Sequence, residues 1–323
     1  MNKPKVSVVM CVYNDADALD RTINSILTQS MADFEFIIVN DGSTDNSQAI
    51  LEAAAATDAR IKIIKQANQG LTKALIAGCQ QASAAYIARQ DNGDLSSSNR
   101  LDKQLSFLEA HHSCVMVSCS TAFTGPKAEI LYTVVQSEQE AQTGLQQDSV
   151  ETFSGPPHHG SVMFRSKTYD LVKGYRAAFR VAQDIDLWTR LTEHGAHHSL
   201  PQVMYRAAVA RNSISMLHRG QQLLATQAII NGRKARESGG NDQAVIDDYL
   251  MVSDNGRKTL KKPNKADADY YYFIASNLQM TNLNASLDYL KIALKHNPWH
   301  VKAAIKFVIG KTCNLFNNKT FKK

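Results

Sequence analysis

An α/β protein on an open, mostly parallel sheet is predicted by two observations: three near-continuous apolar runs that each end in polar or acidic residues, and helix-like segments between them. The runs are 6–12, followed by Tyr13-Asn14-Asp15; 34–39, followed by Asn40-Asp41-Gly42-Ser43-Thr44-Asp45; and 85–89, followed by Gln90-Asp91-Asn92-Gly93-Asp94. Such runs read as strands buried on both faces. Ligands of open α/β sheets bind beyond the carboxyl ends of the strands, so the three polar clusters are expected to meet at one rim.

The elements follow in order. A first helix is expected after Asp17 as its cap, with Leu19, Ile23, Ile26 and Leu27 on one face. A second follows Thr44, a short strand covers 61–64, and a third helix starts after Gly70 with Leu71, Leu75 and Ala82 inward. A fourth strand ends at Gln90, and a helix carrying Leu101, Leu105 and Leu108 follows the acidic loop. From 115 to 166 shorter strand-like pieces are punctuated by Gly125-Pro126 and Gly155-Pro156-Pro157, and a helix over about 184–194 closes this half. Beyond about residue 215 the composition turns helical, which places one domain at 1–215 and a helical C-terminal region at 216–323. Residues 267–298 read as a tetratricopeptide-like hairpin, with Tyr271, Ile274 and Leu278 on one arm and Leu287, Leu290 and Ala293 on the other. One such unit cannot bury its own faces, so it is expected to pack on the larger domain.

Composition bounds the function. Lys302, Lys306, Lys311, Lys319, Lys322 and Lys323 stand in a tail without acids and account for the net charge of +6. No basic and aromatic interleaving lies near the rim, which excludes a nucleic-acid partner. A solvated tail is the simpler reading; the alternative is attraction to an anionic membrane surface, with Val301, Ile305, Val308, Ile309 and Phe316 as an apolar face. The five cysteines (Cys11, Cys79, Cys114, Cys119, Cys313) are odd in number and form no Cys-x-x-Cys pair, as reduced thiols do. The first strand begins within six residues of the start, and no apolar run approaches the ~18 residues of a membrane span, so a cytoplasmic protein, peripheral at most to the inner face of a membrane, is expected.

No Gly-x-x-x-x-Gly-Lys-Ser/Thr and no Gly-x-Gly-x-x-Gly follows any of the three strands. Carboxylates facing a pyrophosphate repel it unless a divalent cation lies between them, and magnesium and manganese prefer hard oxygen donors. The rim therefore asks for a metal-bound nucleotide diphosphate.

Several motifs now occur in one order: Val12-Tyr13-Asn14, Ser25-Ile26-Leu27-x-Gln29, Asn40-Asp41-Gly42-Ser43-Thr44-Asp45, Asn68-Gln69-Gly70-Leu71, Tyr86-Ile87-Ala88-Arg89-x-Asp91 and Arg100-Leu101-x-x-Gln104. They continue with His159-Gly160-Ser161-Val162-Met163-Phe164-Arg165, Gly174-Tyr175-Arg176 and Asp184-x-Asp186-Leu187-Trp188-x-Arg190-Leu191. With them the chain resembles a family 2 glycosyltransferase over residues 6 to about 215. The resemblance implies the GT-A nucleotide-diphospho-sugar transferase fold, Rossmann-like, with a C-terminal helical appendage. It implies inverting transfer of a sugar, from a UDP-sugar donor, to a hydroxyl of a glycan or lipid-linked acceptor in cell-surface polysaccharide synthesis.

Carried over residue by residue, Asp41 would accept the imide N–H of uracil, Tyr13 would stack on the base beside Asn14, and Lys73 and Arg89 would meet phosphate. Asp91 and Asp94 would hold a manganese or magnesium ion. Asp184 would be the general base, with Asp186 as its fallback and Trp188 flooring an acceptor-sugar subsite. The bland alternatives are a turn and cap at Asp41, a helix cap at Asp184, ion pairs for Lys73 and Arg89, and core packing for Tyr13 and Trp188.

Three departures stand out. Gly93 occupies the position of the second metal-binding acid, displacing Asp94 by one residue; glycine's backbone freedom would let the loop turn Asp94 into the site. Gln183 replaces a Glu common in relatives, and no histidine follows Tyr205-Arg206. These motivate a second reading, a non-catalytic nucleotide-sugar-binding or scaffold protein. A dinucleotide oxidoreductase is disfavoured because Asn14-Asp15-Ala16-Asp17, not a glycine turn, follows the first strand. Side chains of His158-His159 before a strand diverge and do not grip one ion, while His111-His112 and His197-His198 are expected at exposed helix ends.

Overall fold

Four parallel strands occupy one half of the sheet: β1 (Val6–Val12), β2 (Phe34–Asn40), β3 (Ile61–Lys65) and β4 (Tyr86–Arg89), in the order β3-β2-β1-β4. The computed structural model describes residues 3–209, 211, 219–255 and 263–320. Beyond β4 the sheet continues with β8 (Met163–Arg165), β6 (Cys114–Thr124), β9 (Ala196–Ala208) and β5 (Leu95–Ser96), and β7 (Ile130–Val134) pairs with β6. The β4/β8, β6/β8 and β5/β9 pairings are antiparallel, so the sheet is mixed where the sequence predicts a mostly parallel one.

The apolar runs are covered on both sides. Val6, Val8, Met10 and Val12 pack with Leu19, Ile23 and Ile26 of α1 (Ala16–Leu27), Leu51 of α2 (Ser47–Thr57), and Leu101, Leu105 and Leu108 of α4 (Arg100–Ala110). Val9 and Ile37, facing the other way, pack with Leu75 and Cys79 of α3 (Leu71–Gln80) and with Leu187 and Leu191 of α7 (Gln183–Thr192). Period-two alternation thus feeds two cores from one strand. Helix α1 starts one residue before the predicted cap: Asp17 sits in its first turn, and Asp15 occupies the cap position.

The chain divides into two compact units, 1–122 with 133–208 and 218–256, and 123–132 with 209–217 and 257–323, where the sequence suggests a single cut at 215. Helices α8 (Arg219–Glu237) and α9 (Gln243–Asn255) belong to the first unit, because Ala225, Ile229, Ile246 and Tyr249 bury Phe179 and Val181. In the second unit α10 (Pro263–Leu278), α11 (Leu283–His296) and α12 (Val301–Thr320) share a core with Leu131 and Tyr132. The four cysteines whose side chains are described are free thiols; that of Cys313 lies outside the described residues. His197, expected at an exposed helix end, lies instead on β9, buried against Ser118 Oγ at 2.9 Å and the Ala141 carbonyl at 3.0 Å.

Glu35 staples the parallel half. Its carboxylate accepts from Ser7 Oγ on β1 (2.6 Å), Lys62 Nζ on β3 (2.6 Å), and Ser83 N (2.7 Å) and Oγ (2.8 Å) before β4. Burial opposes the charge, but these bonds outweigh it and hold the group below its ordinary range. Glu35→Ala should therefore lower the unfolding free energy by about 2–3 kcal/mol in neutral urea titrations. The native value is depressed, so this contribution is present above the unfolded value and lost on acidification; the gap between variant and wild type should begin to narrow below about pH 4 and go on narrowing as the pH falls through the lower native value.

Candidate active site

The parallel pairing aligns Val12 with Asn40 and Val9 with Arg89, which brings the three polar clusters to one edge. They are knotted there. Asn14, with a left-handed φ of 49°, accepts at Oδ1 from Thr44 N (2.7 Å), and Ala16 N donates to Asp45 Oδ2 (3.0 Å). Asn92 Nδ2 donates to Asp15 Oδ2 (2.8 Å), and Gly93 N to Thr22 Oγ1 (3.0 Å). Gly93 has φ +91°, a conformation that a side chain would strain, and so turns the loop between Asp91 and Asp94.

Asp91, Asp94 and His158 each present an oxygen or nitrogen atom within 4.8 Å of the others, two carboxylates and one imidazole. His158 Nδ1 is 3.8 Å from Asp91 Oδ2 and 3.6 Å from Asp94 Oδ2. Arg89 stands behind this cluster, wholly buried, and donates to Asp91 Oδ1 at 2.6 Å, to His159 Nε2 at 3.3 Å and to the Val9 carbonyl. On the other side Tyr205 Oη donates to Asp94 Oδ2 (2.9 Å) and accepts from Asp91 N (3.0 Å), while Ala208 N donates to Asp94 Oδ1 (2.8 Å). The hydroxyl end of Tyr205 points at Gly160, where a Cβ would fall 1.8 Å from the hydroxyl.

The charges differ across the cluster. Burial works against both carboxylates, but Arg89 overrides it for Asp91, which lies below its ordinary range. For Asp94 burial and then the Asp91 charge act together and raise it well above that range. Burial lowers His158 and disfavours its charged form, and its Nδ1 accepts from Gly160 N at 3.1 Å, a bond that a cation would have to share or replace. An ionised acid, a second acid raised by its neighbour and a neutral imidazole form a donor set that a divalent cation fits, because its charge would favour both carboxylates in their ionised form.

Other expected site residues fall into two groups. Tyr13 is 51% exposed at the end of β1, Lys73 is exposed in the first turn of α3, and Asn14 is on the rim. Asp41 holds the segment before α3, accepting from Gln66 Nε2 (2.6 Å), Gln69 N (2.9 Å) and Gly70 N (2.8 Å). Asp184, half-buried in the first turn of α7, accepts from its neighbour Ile185 N (2.9 Å), and burial raises it to about 6. The remaining three, like the buried Asp41, do not reach open solvent. Arg89 spends its donors on Asp91 and the core rather than meeting the rim directly. Asp186 has no exposed surface and is clamped between Arg176 and Arg190, with Arg190 Nη2 at 2.5 Å; Arg176 continues the chain of pairs to Asp242 at 2.5 Å. Trp188, only 1% exposed, packs its ring edge-to-face against His159 and so floors no open subsite.

His158 and Tyr205 are the residues that sequence reasoning missed. The divergence expected of His158-His159 is present: His158 joins the carboxylates, while His159 turns inward to Tyr175 Oη at 2.8 Å and is held down to about 3 by burial.

The chain is similar to known proteins in sequence and in fold. EpsE of Bacillus subtilis (strain 168), which carries a glycosyltransferase name, is 37% identical over 213 residues, 63% of this chain and 72% of EpsE. A hyaluronan synthase of Pasteurella multocida is 24% identical over 71% of this chain and 23% of its own length. The crystal structure of Staphylococcus aureus TarS 1–349 in complex with UDP-GlcNAc superimposes with a TM-score of 0.58 at 15% identity, covering 95% of this chain and 89% of that one. A mannosyltransferase from Pyrobaculum calidifontis, in complex with GDP-Man and Mn2+, gives 0.51 at 16% identity, covering 98% and 88%. The fold is GT-A and the protein is a glycosyltransferase. More narrowly, residues 7–172 match the model of glycosyl transferase family 2, and the chain belongs to that family.

Asp186→Asn tests the structural assignment of the second carboxylate of α7. Two arginines would be left facing a neutral group in a buried position, and stability should fall by about 3 kcal/mol or more in a denaturant titration. A variant of wild-type stability would free Asp186 for a role at the rim.

Proposed function

We propose that this glycosyltransferase moves a sugar from a UDP-linked donor to a hydroxyl of a glycan or lipid-linked acceptor, with inversion, and that Asp184 accepts the proton of that hydroxyl. The observation that carries the reading is Asp184 itself: a carboxyl at the helix start, desolvated and raised to about 6, influenced by the charges of Asp91 and Arg89 across the site. A hydroxyl is a poor nucleophile until its proton is taken, and a base poised just below neutrality is suited to take it. Among the described acids of the rim, Asp91 and Asp94 are drawn into the cation cluster, Asp186 is locked in ion pairs, Asp41 accepts from the segment before α3, Asp15 from Asn92, and Asp45 from Ala16 N and Ser47 N. That leaves one carboxylate in a catalytic position, which favours single displacement over a covalent glycosyl-enzyme.

Asp91, Asp94 and His158 would hold a manganese or magnesium ion, which when bound supplies positive charge to the departing diphosphate. The protein's own part is preparation. Arg89 fixes Asp91, Tyr205 and Ala208 N fix Asp94, and Gly93 sets the turn between them. Asp41 accepts three hydrogen bonds within the chain, and an imide N–H would be a fourth. Exposed Tyr13 supplies a ring for the base and Lys73 a charge for phosphate.

The base assignment predicts that kcat/KM for a competent donor and acceptor pair falls about tenfold per unit as pH drops below about 6, because the base must be ionised. Burial is the main cause, and the charges entering that titration are Asp91, which raises it, and Arg89, which lowers it. Asp184→Asn should lower kcat by about 10²–10⁴-fold with folding and UDP binding intact. Near-normal turnover in that variant rules Asp184 out as the base.

For the cation, calorimetric titration of UDP should show binding with manganese that chelator removes and Asp94→Ala weakens by about tenfold or more. Binding indifferent to both would exclude this cluster as the cation site.

A further inference from the structure

Helix α12 is apolar on two opposite sides. Ala303, Phe307 and Gly310 turn into the helical unit: Ala303 has no exposed surface, Phe307 packs on the core, and a Cβ on Gly310 would meet Leu287 Cδ2 at 3.0 Å. Val301, Ile305, Val308 and Ile309, spaced i, i+4, i+7 and i+8, form a second stripe on the far side, and each is more than half exposed. A helix packed on a globular core needs one apolar stripe, the one that faces the core.

The borders of the second stripe carry charge. At about 100° per residue, Lys302 and Lys306 fall along one side of it and Lys311 along the other. Lys306 Nζ lies 5.4 Å from the Tyr272 ring centre and Lys311 Nζ 5.0 Å from that of Phe307, so their stems run over aromatic surface. No acidic residue follows Asp288 in the sequence. At the head of the helix Trp299 is 89% exposed, an amphipathic ring suited to the boundary between headgroups and acyl chains. No described helix is long and apolar enough to cross a membrane, so this one can only lie along a surface.

We propose that Trp299, Val301, Ile305, Val308 and Ile309, bordered by Lys302, Lys306 and Lys311, bind the surface of a bilayer that contains anionic phospholipid. The stripe enters the acyl boundary and the ammonium groups meet lipid phosphates, as in an interfacial amphipathic helix. The site shares no residue with the rim and does not depend on the donor or the base assigned there.

The two tryptophans make the test direct. Trp188 is already buried, so a blue shift of emission on adding vesicles reports Trp299. The full chain should co-sediment and shift with vesicles of phosphatidylglycerol and phosphatidylcholine in equal parts, bind less in high salt, and ignore phosphatidylcholine alone. Ile305→Glu with Val308→Glu, at exposed positions, should weaken partitioning by about tenfold or more while far-ultraviolet circular dichroism is unchanged. Lys302→Gln, Lys306→Gln and Lys311→Gln together should weaken it and flatten its salt dependence. The proposal is overturned by wild-type protein that ignores anionic vesicles, by unchanged binding of the glutamate pair, or by a shift that survives Trp299→Phe. It is equally overturned if sedimentation shows a dimer that the glutamate pair dissociates, since the stripe would then belong to a second copy.

Discussion

The buried contact between Arg89 and Asp91 is the constraint on which the rest of the site rests. A guanidinium without exposed surface must be neutralised and hydrogen-bonded, and one carboxylate, one carbonyl and one imidazole do so. Because Arg89 ends β4 and touches the Val9 carbonyl of β1, the parallel sheet itself fixes where the first acid of the rim stands. His159 is drawn inward by the same cation, which leaves its neighbour His158 to face the two acids. A neutral residue at 89 would undo all of these at once.

The second acid is held from elsewhere. Asp94 depends on Tyr205 and on the backbone of Ala208, both from β9, more than a hundred residues along the chain. One acid is thus positioned from the parallel half of the sheet and the other from the antiparallel half. The mixed character of the sheet is what lets the two carboxylates converge.

Most of the parallel half is legible in the sequence. The near-continuous apolar runs in 6–12 and 34–39 announce strands covered on both sides, and strand ends followed by Asn, Asp and Gly announce the rim. Gly93 is legible too, since an acid displaced by one residue asks for a backbone that can turn. What is hidden is long-range. Nothing near Tyr205 says that it will reach a loop 111 positions earlier, and nothing near Asp186 separates a rim carboxylate from one sealed between two arginines. Trp188 is ambiguous for the same reason, because a ring in an amphipathic helix looks alike whether a sugar or a histidine covers it. Helices α8 and α9 evade a composition-based boundary because their apolar faces close over Phe179 and Val181, upstream of that boundary.

Gly160 gives the site a weakness of shape rather than of charge. Its missing methyl is the space into which the Tyr205 hydroxyl projects, and that hydroxyl is shared by Asp91 and Asp94. A single added carbon there would disperse the two acids while leaving every ionisable group of the rim in place. The arrangement of Asp91 and Asp94 in this chain can therefore be lost without the loss of either acid.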